Sequence, residues 1–212
     1  MFIKKLRHEY PNFKLEIDDL MLNSNTIIGL IGENGAGKTT LMNILSGMNT
    51  ANQNLQIDDH NLENILYIPS DVEPYEFMTV MEFITIVIKY SDSSISPQII
   101  IDKLELNEKE NTLISELSQG MKKKLTLINL FLNNYSLIIL DEPFKSVDIK
   151  FIYQMKKIIL GLKEDSIILI SSHILDTLED ICDEFIYLEK GKIKKMFKND
   201  QNHKSLESEL FD

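Results

Sequence analysis

The sequence predicts an α/β fold: a largely parallel sheet, a trimmed antiparallel portion and a helical insertion. Short unbroken apolar runs recur along the chain, at Thr26–Ile31, Leu137–Leu140, Ile167–Ile170 and Phe185–Leu188. Such runs mark strands buried on both faces. Helix-like segments lie between them, Lys38–Leu45, Phe151–Leu162 and Ile174–Ile181, as crossovers between parallel strands require. From Thr79 to about Leu132 the strand pattern stops, and Val80, Phe83, Ile84, Val87 and Ile88 recur at helical spacing.

In chain order, Phe2–Leu6 and Phe13–Ile17 alternate apolar and polar residues, as half-exposed antiparallel strands do. Ile65–Ile68 is a short strand closed by Pro69, and the polar stretch Asn52–Asn64 leaves little room for more antiparallel sheet. A polar interruption at Ser91–Pro97 precedes helical spacing over Ile99–Leu106. The organisation expected is one domain over 1–212, with a core from 1–76 and 125–212 and a helical subdomain from 77–124.

Composition narrows the function. The net charge of −11 disfavours direct nucleic-acid binding, which needs a basic footprint. The one cysteine, Cys182, excludes a disulfide within the chain and lies in an apolar stretch, so a packed thiol in a reducing compartment is expected. No run approaches the roughly 18 apolar residues of a spanning helix, and the Met-Phe-Ile-Lys-Lys-Leu-Arg start lacks the features of a secretory signal. Contact with a membrane is expected only through a partner.

Gly32-Glu33-Asn34-Gly35-Ala36-Gly37-Lys38-Thr39 fits Gly-x-x-x-x-Gly-Lys-Thr, between a buried strand and a helix. Glycines let successive N–H groups curl around one anion, and the helix N-terminus adds its dipole. Asn34, Gly35, Ala36, Gly37, Lys38, Thr39 and Thr40 are therefore candidate ATP-binding residues. Lys38 is suited to the β- and γ-phosphates and the Thr39 hydroxyl to Mg²⁺. Leu137–Leu140 runs into Asp141-Glu142-Pro143, which delivers two carboxylates to the ligand-binding edge of the sheet. Asp141 is placed to hold Mg²⁺, and Glu142 to polarise the attacking water.

Leu117-Ser118-Gln119-Gly120-Met121 then precedes a helix leading to the Asp141 strand. Here the sequence resembles the ABC (ATP-binding cassette) family, whose signature is usually Leu-Ser-Gly-Gly-Gln. The resemblance implies a P-loop NTPase fold with an ABC-type ATPase core. It also implies that Ser118 and Gly120 receive the γ-phosphate of ATP held by an opposite subunit, in a head-to-tail dimer. It continues through Ser146-Val147-Asp148, matching the D-loop, and Ser171-Ser172-His173, where His173 matches the switch histidine that senses the γ-phosphate. Tyr10 suits the aromatic that stacks on adenine, with Phe13 as rival.

The chain also departs from that pattern. Tyr67-Ile68-Pro69-Ser70 aligns with the Q-loop, where Ser70 replaces a glutamine that contacts Mg²⁺ and links hydrolysis to the transport partner. Ser70 could reach the metal only through water, so slow hydrolysis or altered coupling is expected. The run Met121-Lys122-Lys123-Lys124 resembles variants of small bacterial exporter ATPases. It reads either as a nucleotide-attracting patch or as a solvated helix face. No room for a regulatory domain is expected after Gly191.

The resemblance implies an ATPase subunit in the cytoplasm, at the inner face of the cell membrane, powering a separate membrane subunit for export of peptides of antimicrobial, cytolytic or lantibiotic type, or of drugs. Glu73-Pro74-Tyr75, Phe77 and Met78 are candidate docking contacts. The alternatives are a non-transport ABC ATPase, or a cassette with degenerate catalysis in a heterodimer rather than a homodimer.

Overall fold

In a computed structural model of the protein, the residues described are 1–48, 53–57, 64–71, 74–91, 93–173 and 175–199. Glu73, Ile174 and parts of the Asn52–Asn64 stretch lie outside them. The elements in chain order are β1 (Phe2–Tyr10), β2 (Phe13–Met21), β3 (Ile27–Ile31), α1 (Lys38–Leu45), β4 (Gln53–Ile57), β5 (Ile65–Ile68), α2 (Val80–Tyr90), α3 (Pro97–Leu104), α4 (Gln119–Thr126), β6 (Leu137–Asp141), α5 (Ile149–Leu162), β7 (Ile167–Ser171), α6 (Leu175–Glu179), β8 (Glu184–Glu189) and β9 (Lys192–Lys198). The chain divides into two compact units. One comprises Met1–Pro69, Tyr135–Pro143 and the described part of Met155–Asp212; the other comprises Ser70–Asn134 and Phe144–Gln154.

The first unit holds two sheets. The larger has the order β5-β6-β7-β3-β8-β9, parallel except where β9 runs antiparallel to β8. Every residue of β3, β6 and β7 is buried, which is why these strands are unbroken apolar runs in the sequence. The smaller sheet, β2-β1-β4, is antiparallel. One core joins Ile3, Leu6, Leu15 and Ile17 of the small sheet, Leu41, Met42 and Leu45 of α1, and Leu30, Ile139, Leu169 and Ile186 of the large sheet. The helix that follows the glycine-rich loop is therefore anchored on its apolar face, and its N-terminus is held in place.

The apolar patterning misses two strands. β4 falls in the polar stretch, and β9, Lys-Ile-Lys-Lys-Met-Phe-Lys, reads as a basic tail. An edge strand needs few apolar residues, and lysines along it block unwanted pairing. Here Lys192 pairs with Glu16 at 3.2 Å and Lys194 with Glu189 at 3.1 Å. Cys182 is buried, and burial pushes its thiol up, as a packed side chain requires.

The second unit is helical. Thr79 caps α2 through a reciprocal capping box with Glu82, and Pro97 opens α3. Val80, Ile84 and Ile88 of α2 and Ile100, Ile101 and Leu104 of α3 form buried stripes at helical spacing. Leu113 closes a bridge with Thr79, and the chain reaches α4 through the buried Ile114 and Leu117.

Candidate nucleotide site

β3 delivers the glycine-rich loop to the carboxyl edge of the parallel sheet, and α1 starts at Lys38. Gly37 caps that helix at φ 106°, in the left-handed region, and a Cβ there would stand 2.6 Å from Cζ of Phe13. Both its conformation and its surroundings demand glycine. The Ala36 N–H donates to the Glu33 carbonyl at 3.1 Å, and the Ala36 carbonyl accepts from Gly191 N–H at 2.9 Å. The turn before β9 thus braces the loop. Asn34 and Gly35 are exposed at its tip, and Thr39 is exposed in the first turn of α1 with the half-buried Thr40 beside it.

Lys38 is almost buried, and its Nζ donates to the carbonyls of Gly32 at 2.6 Å and Glu33 at 3.2 Å. Burial pulls this ammonium below its ordinary value, opposed by the charges of Glu142 and Asp141. A partly desolvated cation of this kind gains by meeting an anion. Tyr10 faces Phe13 across the β1–β2 hairpin. Phe13 packs on Gly37, whereas Tyr10 is 45% exposed with its ring edge-on to His8.

The acidic side of the site is built by strand register. Asp141 of β6 pairs with Ser171 of β7. Asp141 Oδ1 accepts from Ser171 Oγ at 2.6 Å, and Oδ2 accepts from Thr39 Oγ1 at 2.9 Å. Ser171 Oγ also accepts the Glu142 N–H at 3.1 Å. Glu142 is buried and sits at φ 50°, a left-handed conformation that costs a non-glycine residue on the order of 1 kcal/mol. Its Oε2 accepts the His173 N–H at 3.1 Å. Its Oε1 lies 3.2 Å from His173 Nε2, within ion-pair range but too poorly aligned for a hydrogen bond. A buried carboxylate beside a 60% exposed imidazole suits proton abstraction from water.

The remaining sequence candidates lie in the second unit. Ser118 caps α4, its side chain accepting the Met121 N–H at 3.3 Å. A Cβ on Gly120 would stand 2.6 Å from the Ser146 carbonyl oxygen. Asp148 caps α5 through the Phe151 N–H at 2.9 Å, and its other oxygen lies 3.5 Å from Lys124 Nζ. Lys124 also reaches Glu105 at 3.7 Å and the Phe151 ring at 4.3 Å. Lys122 pairs with Glu76, and Lys123 donates to the Ser70 carbonyl at 2.9 Å. The lysine run is therefore neither a solvated face nor an open anion patch, because each ammonium already has a partner. Spacing alone could not show that. Ser70 Oγ donates to Asp71 at 3.0 Å, and Asp71 meets Lys145 at 3.3 Å. These residues line a cavity of about 310 Å³ with Pro74, Glu76 and Gln119.

The sequence model of the ABC transporter family matches residues 15–145, spanning loop, signature and catalytic strand. The chain belongs to the ABC transporter family. It is an ATP-binding cassette, a nucleotide-binding domain of the ATPase kind. An uncharacterized ABC transporter ATP-binding protein of Methanocaldococcus jannaschii is 32% identical over 78% of this chain and 64% of its own length. Another, from Bacillus subtilis, is 30% identical over 87% of this chain and 80% of its own length. The chain thus spans less than two thirds of the first relative. A solved ATP-binding subunit of an ABC transporter is 26% identical, with a TM-score of 0.82 over 98% of this chain and 96% of that one. Among the described residues no helix of the cassette is long and apolar enough to cross a membrane.

The donor set also bears on Mg²⁺. Among the described residues no group of three His, Cys, Asp or Glu side chains could hold a metal, but the Thr39 hydroxyl and the Asp141 carboxylate present adjoining oxygens. Hard oxygen donors in that number fit Mg²⁺, which takes one or two protein ligands and completes its shell with phosphates and water. Ser171 escaped assignment by motif. Its role follows from its register opposite Asp141, which equal strand ends could have suggested.

Proposed function

We propose that this cassette binds ATP with Mg²⁺, hydrolyses it as a dimer, and drives a separate membrane subunit that exports peptides of antimicrobial, cytolytic or lantibiotic type, or drugs. The observation that most supports this reading is the bonded chain Thr39–Asp141–Ser171–Glu142–His173 beside the phosphate loop. Lys38 Nζ exchanges its loop carbonyls for phosphate oxygens, and backbone N–H groups of residues 34–40 cradle the same anion. Tyr10 stacks on adenine. Thr39 and Asp141 hold the cation, which when bound neutralises phosphate charge. Glu142 accepts a proton from the attacking water, and His173, held by Glu142, donates toward the charge developing on the γ-phosphate.

Ser118 and Gly120 of one cassette meet the phosphate held by a second, with Asp148 lending its loop to that contact. Exposed Tyr75 and Phe77, with ring centroids 5.8 Å apart, suit docking of a membrane subunit. Ser70, whose hydroxyl is engaged with Asp71, supports weakened coupling to hydrolysis and so also a heterodimer with a second cassette. Export rather than import rests on the signature's resemblance to exporter ATPases.

Glu142→Gln tests the core of the reading. Steady-state ATP hydrolysis is expected to fall at least about a hundredfold, while gel filtration with ATP shows an accumulated dimer. A variant that hydrolyses at the wild-type rate removes Glu142 as the base.

A further inference from the structure

Tyr67 lies in the segment that aligns with the Q-loop, yet neither that alignment nor the mechanism above gives its side chain a role. In β5 it pairs with Ile139 in parallel register, and Asp141 follows Ile139 by two positions. The three side chains therefore share one face of the sheet. The ring packs on the core cluster that includes Leu41 and Met42 of α1, the helix whose first turn carries Thr39. Its hydroxyl is buried and has no hydrogen-bond partner among the described residues.

A buried phenol left unsatisfied is costly, and phenylalanine would fill the same space without that cost. A phenol holds its proton at neutral pH and so acts as a donor. Asp141 has capacity to receive it: each carboxylate oxygen already accepts one hydroxyl, from Ser171 and Thr39, and each has a second lone pair.

We propose that Tyr67 is a positioning residue of the nucleotide site, whose O–H donates to Asp141, or to a water that Asp141 holds, when nucleotide and cation are bound. This inference rests on the nucleotide reading above. The hydroxyl steadies Asp141 as a cation ligand.

The test is Tyr67→Phe, which keeps the ring and the packing. ADP affinity is measured by calorimetry with excess EDTA and with MgCl₂, beside thermal unfolding without nucleotide. The expected variant melts about 2–4 °C above wild type when empty. Its ADP affinity in EDTA is unchanged, and the gain in affinity conferred by Mg²⁺ shrinks about tenfold. A Mg²⁺ gain equal to wild type overturns the proposal. So does a lower melting temperature with affinity lost equally in EDTA and Mg²⁺, which reports packing alone. Wild-type protein that binds no ADP under either condition overturns the nucleotide reading, and this inference with it.

Discussion

Two aspartates of this cassette, Asp141 and Asp148, are each held in place, and the means differ. Asp141 is gripped at 2.6 and 2.9 Å by two short hydroxyl side chains, one from a neighbouring strand end and one from the first turn of α1. Asp148 is held by a backbone N–H at 2.9 Å and by a lysine reaching across at 3.5 Å. Short side chains on rigid elements lose little entropy and fix position tightly, as a cation ligand requires. A long lysine stem crossing between helices tolerates displacement, which suits the contact with a second cassette proposed for this segment. The contrast agrees with the proposed division of roles, chemistry at the first cluster and assembly at the second.

The largest effect that separates them is expected from Gly120→Ala. A methyl group there would approach the Ser146 carbonyl to 2.6 Å, so α4 and the 144–148 segment must move apart. Displacement of that order around a reacting centre costs about a hundredfold in rate. Turnover should fall by that factor, while ADP binding at Lys38 and Thr39 stays at wild-type strength. Loss of ADP binding in this variant would mean that the two clusters are not separable.

Lys124→Met probes the second cluster directly. The side chain is 7% exposed and lies among Glu105, Asp148 and the Phe151 ring. Removing one partner from such a buried set costs about 2 kcal/mol, discounted for the exposed Asp148. Urea unfolding should show that loss, and Lys124→Arg should recover most of it, since a guanidinium keeps both the pairing and the ring contact. An Arg variant as unstable as the Met variant would show that side-chain shape, not charge, holds the cluster.

The same contrast governs what the sequence made legible. The Asp141 cluster follows from an apolar run that ends in acids and a glycine loop of fixed spacing, because strand ends and helix starts lie close to the residues that define them. Ser171 and Tyr67 lie in segments matched to motifs, yet the motifs give these two positions no role; strand register brings Ser171 opposite Asp141 and Tyr67 onto the same sheet face, a relation between segments far apart in the chain. The Lys124–Glu105–Asp148 set is more hidden still. Glu105 sits at φ 51° just after α3, in nothing that reads as a site, and a run of three lysines looks like solvated surface until the fold supplies each with a partner. Strands β4 and β9 lie outside the apolar pattern for a related reason: these two edge strands carry few apolar residues, so that pattern is silent where backbone pairing holds the strand.

The smallest expected effect is electrostatic, and it sharpens the comparison without altering a residue. Asp148 is held below its ordinary 3.8, chiefly by the Phe151 N–H and also by Lys124, and Glu105 below its ordinary 4.5, chiefly by Lys150. For acids with lowered folded-state values, the stabilisation is fully present above the unfolded values and is lost as pH falls through the lowered ones. Between about pH 5 and 3, amide exchange in α4 and the first turns of α5 should therefore accelerate beyond the intrinsic pH effect. Salt near 1 M at neutral pH should act in the same direction and more weakly, since it screens partly exposed ion pairs. The hydroxyl–carboxylate bonds at Asp141 contain no cation, and the Lys38 ammonium that feels its charge is almost buried, so exchange at the end of β6 should respond to salt less than exchange in α4. Equal salt sensitivity at β6 and α4 would show that the two aspartates are held by one electrostatic network rather than by two distinct devices.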